Sequence, residues 1–439
     1  MSRDGQLPVV TGMGMLTPIS VGVQAFTEAI RKGQSAIDFV DGAGAGAGFG
    51  ASPGARAGVD AQVVLGAELR DLNFTARLTD HAVLGEQVLE RARRIARRAP
   101  LTVQASVLVA LEAWQHAGLH RASAAPDRVS ILVAGNNLAG RYVEDMARRF
   151  DRGPGLVRPT FALQYQDSNH VGVVSAVLPI AGEGSTVGAA SASGSVALAQ
   201  AARTIAVGAA DVCVVIGALS ELAGVERASY LNLGAMAAGR LDWPAAAQCR
   251  PFDVDRAGFV PGHGAACVVL ESSASAARRG AVPLAALLGQ AVRLDGNHSA
   301  DPSRPGEVGV MRAALATAGL AAGDVQYVNT HGTGSPLGDD TEAAALSEVF
   351  DGHTDRVWIS ATKALTGHCL SSAGVVEAVA TVVQLRGGFV HPNPHLDRPI
   401  APLRFAGAVA EIADLEVALS NSFGFGGINA CLVLGRETR

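Results

Sequence analysis

Aromatic rings are scarce in this sequence, 5% of 439 residues, so its core cannot be built mainly on large rings. With 52 glycines and many alanines, the interior must instead rest on tight turns and on helices that approach closely through small faces. Charge is sparse as well, at 17% of residues, while 49% are hydrophobic, which is the balance of a large globular protein. An excess of basic charge is missing: 35 Lys and Arg against 40 Asp and Glu leave a net of -5, no overall field for nucleic acid. The five cysteines (Cys213, Cys249, Cys267, Cys369, Cys431) lack the paired spacing of metal ligands and mostly sit in apolar runs, as buried free thiols of a reduced interior do. No metal site is therefore expected. Nor does any apolar run reach the ~20 residues of a membrane span. Met1 leads into the strand-like Leu7-Pro8-Val9-Val10 without the basic start and apolar core of a signal peptide. We expect a soluble, cytoplasmic protein with no membrane partner.

Short runs rich in Val and Ile alternate with Ala-rich helical stretches, as at Val129–Val133, Val212–Ile216, Ala266–Leu270 and Val325–Asn329, which reads as an α/β fold. Asp41–Gly58, dominated by Gly and Ala without periodicity, reads as a surface loop with no chemistry assigned. Arg91 to Arg98 place five arginines over two helical turns. Read alone, that run is either a solvated face or a dock for an acidic partner.

Four segments carry chemistry. In Val187-Gly188-Ala189-Ala190-Ser191-Ala192-Ser193-Gly194-Ser195 a strand-like run meets small residues and then a helix, an elbow that presents Ser191 or Ser193 at a helix N-terminus. Ordinary capping by serine would explain the same pattern. His331-Gly332-Thr333-Gly334-Ser335-Pro336-Leu337-Gly338-Asp339 follows a buried-type strand, and Ser360-Ala361-Thr362-Lys363-Ala364-Leu365-Thr366-Gly367-His368 again sets a histidine beside glycine. Imidazole in such places suits thioester and enolate chemistry, since it holds protons near neutral pH. Asn421-Ser422-Phe423-Gly424-Phe425-Gly426-Gly427-Ile428-Asn429 is a glycine-flanked aromatic turn whose backbone N–H groups can face an oxyanion.

Together and in this order, these segments resemble the β-ketoacyl-acyl carrier protein synthase family, of the elongating type, within the thiolase-like superfamily. The resemblance spans the chain, from Val9-Val10-Thr11-Gly12-Met13-Gly14-Met15-Leu16-Thr17-Pro18 through Arg250-Pro251-Phe252-Asp253, Arg256 and Gly258-Phe259. It implies a five-layered α-β-α-β-α fold of two pseudo-duplicated halves, residues 1–265 carrying Ser191 and residues 266–439 carrying His331, Lys363 and His368, normally dimeric. By position, His331 and His368 resemble the two catalytic histidines, Lys363 the structural lysine and Glu377 its partner. Thr333 and Ser335 lie where the family holds the phosphopantetheine arm. Phe425 matches the gating phenylalanine whose N–H completes the oxyanion hole with that of residue 191. The resemblance also makes Arg93, Arg94, Arg97 and Arg98 a docking surface for an acidic acyl carrier protein, which brings the substrate, so the chain needs no cofactor of its own.

One departure decides the reading. The family's acyl-accepting cysteine is replaced by Ser191, and an alcohol stays protonated where a thiol with a pKa of about 8.5 can ionise. Condensation is then disfavoured, and decarboxylation of malonyl-acyl carrier protein to acetyl-acyl carrier protein remains. The serine pattern, with Gln164-Tyr165-Gln166-Asp167 and His170-Val171-Gly172, resembles the ketosynthase-like decarboxylases of polyketide β-branching cassettes, which supply a hydroxymethylglutaryl-synthase-like partner. An acyltransferase using Ser191 and a non-catalytic, chain-length-factor-like subunit are the alternatives. His263, between two glycines where relatives usually carry an acid, is read with His170 and His298 as structural or surface rather than catalytic. Ala300-Asp301 replaces a more hydroxyl-rich segment near the pantetheine path.

Overall fold

The Val- and Ile-rich runs become strands because β-branched side chains pack well on a pleated, buried surface. The computed structural model describes residues 6–40, 64–122 and 124–436; Asp41–Gly58, expected to be a surface loop, lies outside the described residues. Ten strands matter for the site: β1 Pro8–Thr17, β2 Val129–Ala134, β3 Gly184–Val187, β4 Val212–Gly217, β5 Ala265–Ser272, β6 Ala285–Leu294, β7 Tyr327–Asn329, β8 Trp358–Ser360, β9 Val417–Gly424 and β10 Ile428–Gly435. They run in the order β3-β2-β4-β5-β1, then β6-β10-β9-β7-β8.

The second set repeats the first with every label raised by five. β2 lies parallel to β3 and β4, while β4–β5 and β5–β1 are antiparallel. β7 likewise lies parallel to β8 and β9, with β9–β10 and β10–β6 antiparallel. The sets touch through β1 and β6 at only Val9↔Ala286 and Val10↔Ala285. The expected two-halved fold is thus present. Because β5 pairs along its length with β4 and β1, we place the junction between β5 and β6, at 273–284, rather than near 265.

Seven helices complete the layers: α1 Glu86–Ala96, α2 Leu101–His116, α3 Ser168–Val177, α4 Ser193–Ala206, α5 Arg304–Ala318, α6 Pro336–Val349 and α7 Ala373–Gly387. Alternation along β4 shows the layering. Val212, Val214 and Ile216 pack outward with Leu108 and Trp114 of α2, whereas Cys213 and Val215 pack inward in the cluster that holds α4 and α7. Met311 and Leu315 of α5 and Leu346 of α6 cover the outer face of the second set. No described helix is long and apolar enough to cross a membrane.

The central pair, α4 and α7, meets through glycine. A Cβ on Gly194 would lie 2.6 Å from the Val375 nitrogen, and one on Gly374 would lie 2.5 Å from the Ser195 nitrogen. The scarcity of rings and the wealth of glycine serve this close crossing, which sets the Ser191 elbow against the segment carrying His368. Gly374→Ala should therefore cost about 1–3 kcal/mol in urea unfolding. Gly172→Ala, at an exposed position of α3 with nothing within 4 Å, should instead stabilise by about 0.5–1 kcal/mol. Equal effects at the two positions would contradict the packing argument.

Candidate active site

The elbow runs from β3 into α4. Ala190 adopts φ +47°, a left-handed turn that swings residue 191 out at the start of the helix. Ser193 is consumed internally: its Oγ accepts from the Ala189 N–H at 2.8 Å and donates to the Ala190 carbonyl at 2.7 Å. Ser191 faces a cavity of about 440 Å³ instead, with its Oγ 2.9 Å from His368 Nε2.

The other groups leave the carboxyl ends of parallel strands, where open α/β sheets place ligands. His331 follows β7, Lys363 follows β8, and Phe425 follows β9. Two acids on α6, not assigned from sequence, fix the His331 loop. Glu342 accepts the N–H groups of His331 at 2.9 Å and Gly332 at 2.8 Å, and Asn421 Nδ2 at 3.2 Å. Asp339 accepts from the N–H groups of Phe252, Thr333 and Gly334. Locally they are only two acids three residues apart on an Ala- and Leu-containing helix, and it is the fold that buries the face they share.

Lys363 is buried behind the histidines. Its Nζ donates to the His331 carbonyl at 2.6 Å and to Glu377, and lies 3.3 Å from His331 Nδ1. The chain has only two lysines, Lys32 and Lys363. Where every other basic side chain but these is arginine, a lysine here meets a need for a compact ammonium with three donors, which a planar guanidinium would not satisfy. Burial pushes Glu377 up to about 7, partly offset by Lys363.

Both imidazole tautomers follow from these contacts. An ammonium has no acceptor, so Nδ1 of His331 receives from Lys363 and the ring proton sits on Nε2. The Leu370 N–H donates to His368 Nδ1 at 3.1 Å, which likewise leaves the proton on Nε2, the nitrogen aimed at Ser191. Burial first, and then Lys363, holds both rings well below the ordinary histidine range, so both are neutral near pH 7. The rings stand perpendicular with centroids 5.6 Å apart. The cavity therefore contains two neutral N–H donors and a serine that receives a hydrogen bond.

Thr333 and Ser335 line the same cavity, with their hydroxyls 3.1 Å apart. Phe425 is 39% exposed at its edge, its ring 6.3 Å from that of Tyr230. The loop it belongs to presses on the elbow, since a Cβ on Gly424 would lie 2.7 Å from the Ala189 carbonyl. Seven carboxyl side chains line the cavity (Glu221, Glu226, Asp295, Asp301, Glu307, Asp339, Glu342), and among the described residues no lysine or arginine does.

The remaining candidates lie apart. Arg94, Arg97 and Arg98 are exposed on or just beyond α1, while Arg93 pairs with Glu90; none lines the cavity. His170 is buried against Ser106 Oγ at 2.9 Å. His263 accepts the Leu69 N–H and gives its own backbone N–H to Ala67, so it pins that segment, and His298 is exposed. All five cysteines are buried, and burial pushes Cys249 and Cys369 up to about 12, which removes them as nucleophiles.

Residues 8–276 match the β-ketoacyl synthase N-terminal domain, and residues 284–397 match the β-ketoacyl synthase C-terminal domain. The chain is 33% identical over 427 residues to the polyketide biosynthesis malonyl-ACP decarboxylase PksF of Bacillus subtilis (strain 168), covering 97% of this chain and 95% of that protein. It is 30% identical over 442 residues to 3-oxoacyl-[acyl-carrier-protein] synthase 2 of Staphylococcus aureus (strain COL), covering 99% of each. A solved β-ketoacyl synthase from Burkholderia phymatum STM815 superposes with a TM-score of 0.83 at 26% identity, covering 98% of this chain and 100% of that one.

The two neutral histidines also set an acid limit on stability. Unfolding frees them to titrate near 6.5, so below that pH the unfolded state binds protons that the fold does not. Unfolding free energy in urea should decline from about pH 7 to about pH 5, and His368→Gln should reduce the slope by up to about 1.4 kcal/mol per pH unit. An unchanged slope would mean that His368 is charged in the fold.

Proposed function

The chain belongs to the β-ketoacyl synthase family, and within it we propose a non-condensing enzyme that decarboxylates malonyl-acyl carrier protein to acetyl-acyl carrier protein in polyketide biosynthesis, supplying a β-branching cassette. The observation that carries this reading is the pair of neutral histidines, His331 and His368, each with its proton on Nε2, lining a cavity whose serine has no base. In this reading the bond to the malonyl carboxylate breaks, carbon dioxide leaves, and the enolate oxygen is held by the two imidazoles. The carboxylate enters a cavity lined by acids and by no arginine or lysine among the described residues, so its negative charge finds no partner there. Loss as neutral carbon dioxide removes that unpaired charge. Ser191 is a poor nucleophile because the nearest nitrogen presents a proton to it rather than a lone pair, which disfavours acyl transfer.

The substrate arrives on the phosphopantetheine of an acyl carrier protein, with Thr333 and Ser335 along the arm and the backbone N–H groups of Ser191 and Phe425 as further oxyanion donors. Arg93, Arg94, Arg97 and Arg98 form the proposed docking surface for that acidic partner. We also propose a cytoplasmic homodimer; among the described residues β3 ends its sheet with one edge unpaired, which supports pairing with a second copy. A hydroxymethylglutaryl-synthase-like enzyme would consume the acetyl product.

Intact-mass analysis of malonyl-loaded carrier protein tests the reading. We expect conversion to the acetyl form, a loss of about 10²–10³-fold in His331→Ala, and most of the activity retained in Ser191→Ala. Untouched malonyl-carrier protein, or an enzyme acylated at Ser191, would overturn it.

A further inference from the structure

Glu307 has no role in the chemistry above, yet it lines the cavity shared by Ser191, His331 and His368. It sits in the first turn of α5, after the N-cap Ser303, and is 1% exposed. Among the cavity's other carboxyls, Asp339, Glu342, Glu226, Asp295 and Asp301 each accept a hydrogen bond. Glu307 Oε2 is buried with no partner, as is one oxygen of its neighbour Asp295, Oδ2.

The groups around Glu307 are acidic. Asp295 faces it from the end of β6, and Asp339 and Glu342 from α6. Cations on the neighbouring elements are engaged or directed elsewhere. Arg304 and Arg312 pair with Glu348, Arg256 serves Asp339 and Asp340, and Arg293 is exposed beside Gly309. The helix N-terminus favours an anion only modestly against the cost of an unpaired buried charge. Burial first, and then these three carboxyls, raise the Glu307 carboxyl well above its usual range, so it keeps its proton near neutral pH.

We propose that Glu307 delivers the proton that converts the enolate to the acetyl product, an inference that rests on the decarboxylation reading. As the carbon–carbon bond to the carboxylate breaks, its electron pair forms the enolate double bond, and the charge collects on the oxygen held by the imidazoles. The α-carbon of the enolate then takes the proton from the Glu307 O–H: a C–H bond forms, the O–H bond breaks, and the glutamate is left as a carboxylate. A proton taken up from solvent through water in the cavity restores the acid, so that one proton is consumed for each carbon dioxide released. The imidazoles keep their protons throughout. A neutral imidazole N–H is a far weaker acid than a carboxylic acid, and both are committed to oxygen.

Glu307→Gln tests this, because the amide matches the neutral acid in size but has no proton to give. Conversion of malonyl-carrier protein is followed by intact mass across pH, for wild type, Glu307→Gln and Glu307→Asp. Wild type should lose activity as rising pH ionises Glu307. The Gln variant should be slower by about 10²-fold or more and should lack that alkaline limb, and the Asp variant should recover part of the rate with the limb displaced. A Gln variant with wild-type rate and limb overturns the proposal. Should the Gln variant misfold, an Asp variant with wild-type rate and an undisplaced limb overturns it equally. Wild-type protein that leaves malonyl-carrier protein untouched overturns the decarboxylation reading and this one together, whereas wild-type conversion with an indifferent Glu307→Gln overturns this one alone.

Discussion

A buried ammonium organises the site. Lys363 Nζ is shared among the Glu377 carboxylate, the His331 carbonyl and His331 Nδ1, with both Lys363 and Glu377 about 1% exposed. From this one placement three properties follow. The proton of His331 is confined to Nε2, positive charge on either imidazole is opposed, and the turn after β8 is tied to α7. Such a pair is strongly destabilising to break once desolvated, though forming it adds little net stability. Its value lies in fixing the protonation of its neighbours.

Duplication supplies the frame in which that charge operates. Two equivalent sets of five strands each send residues off the ends of their parallel strands, and the site forms where the two outflows meet. Ser191 comes from the first set, and His331, Lys363, His368 and Phe425 come from the second. Their registration depends on α4 and α7 crossing at glycine, because any side chain at Gly194 or Gly374 would meet backbone atoms of the opposite helix. A core poor in rings is thus a condition for the site and not merely a compositional habit.

The electrostatics then limit the chemistry. The cavity presents two neutral histidines, seven carboxyl side chains and no described lysine or arginine at its wall, so an anion there depends on hydrogen-bond donors rather than on a counter-charge. Ser191 at the helix N-terminus enjoys the position that would ionise a thiol, but an alcohol gains little from it without a base. Position 191 therefore holds the place of a helix-N-terminal nucleophile without a base to activate it.

Much of this was legible in the sequence. The glycine-rich turns around His331, His368 and Phe425 are local patterns, so these candidate residues stand out along the chain, and the strand runs read from Val and Ile are strands. Other features are long-range. Local reading left Ser191 and Ser193 equivalent; only the turn at Ala190, which ties Ser193 to its own elbow, separates them. Asp339, Glu342 and Glu307 look like ordinary helix acids until α5 and α6 are folded against the sheet and water is removed from them. We place the junction of the halves at 273–284 rather than near 265, because pairing with β1, far away in sequence, puts β5 with the first set of strands. By itself, then, the sequence determined which side chains are present, their order, and the absence of a thiol at position 191. The tertiary structure decided which nitrogens bear protons and which acids stay neutral, because protonation answers to burial and to charges brought close from distant parts of the chain.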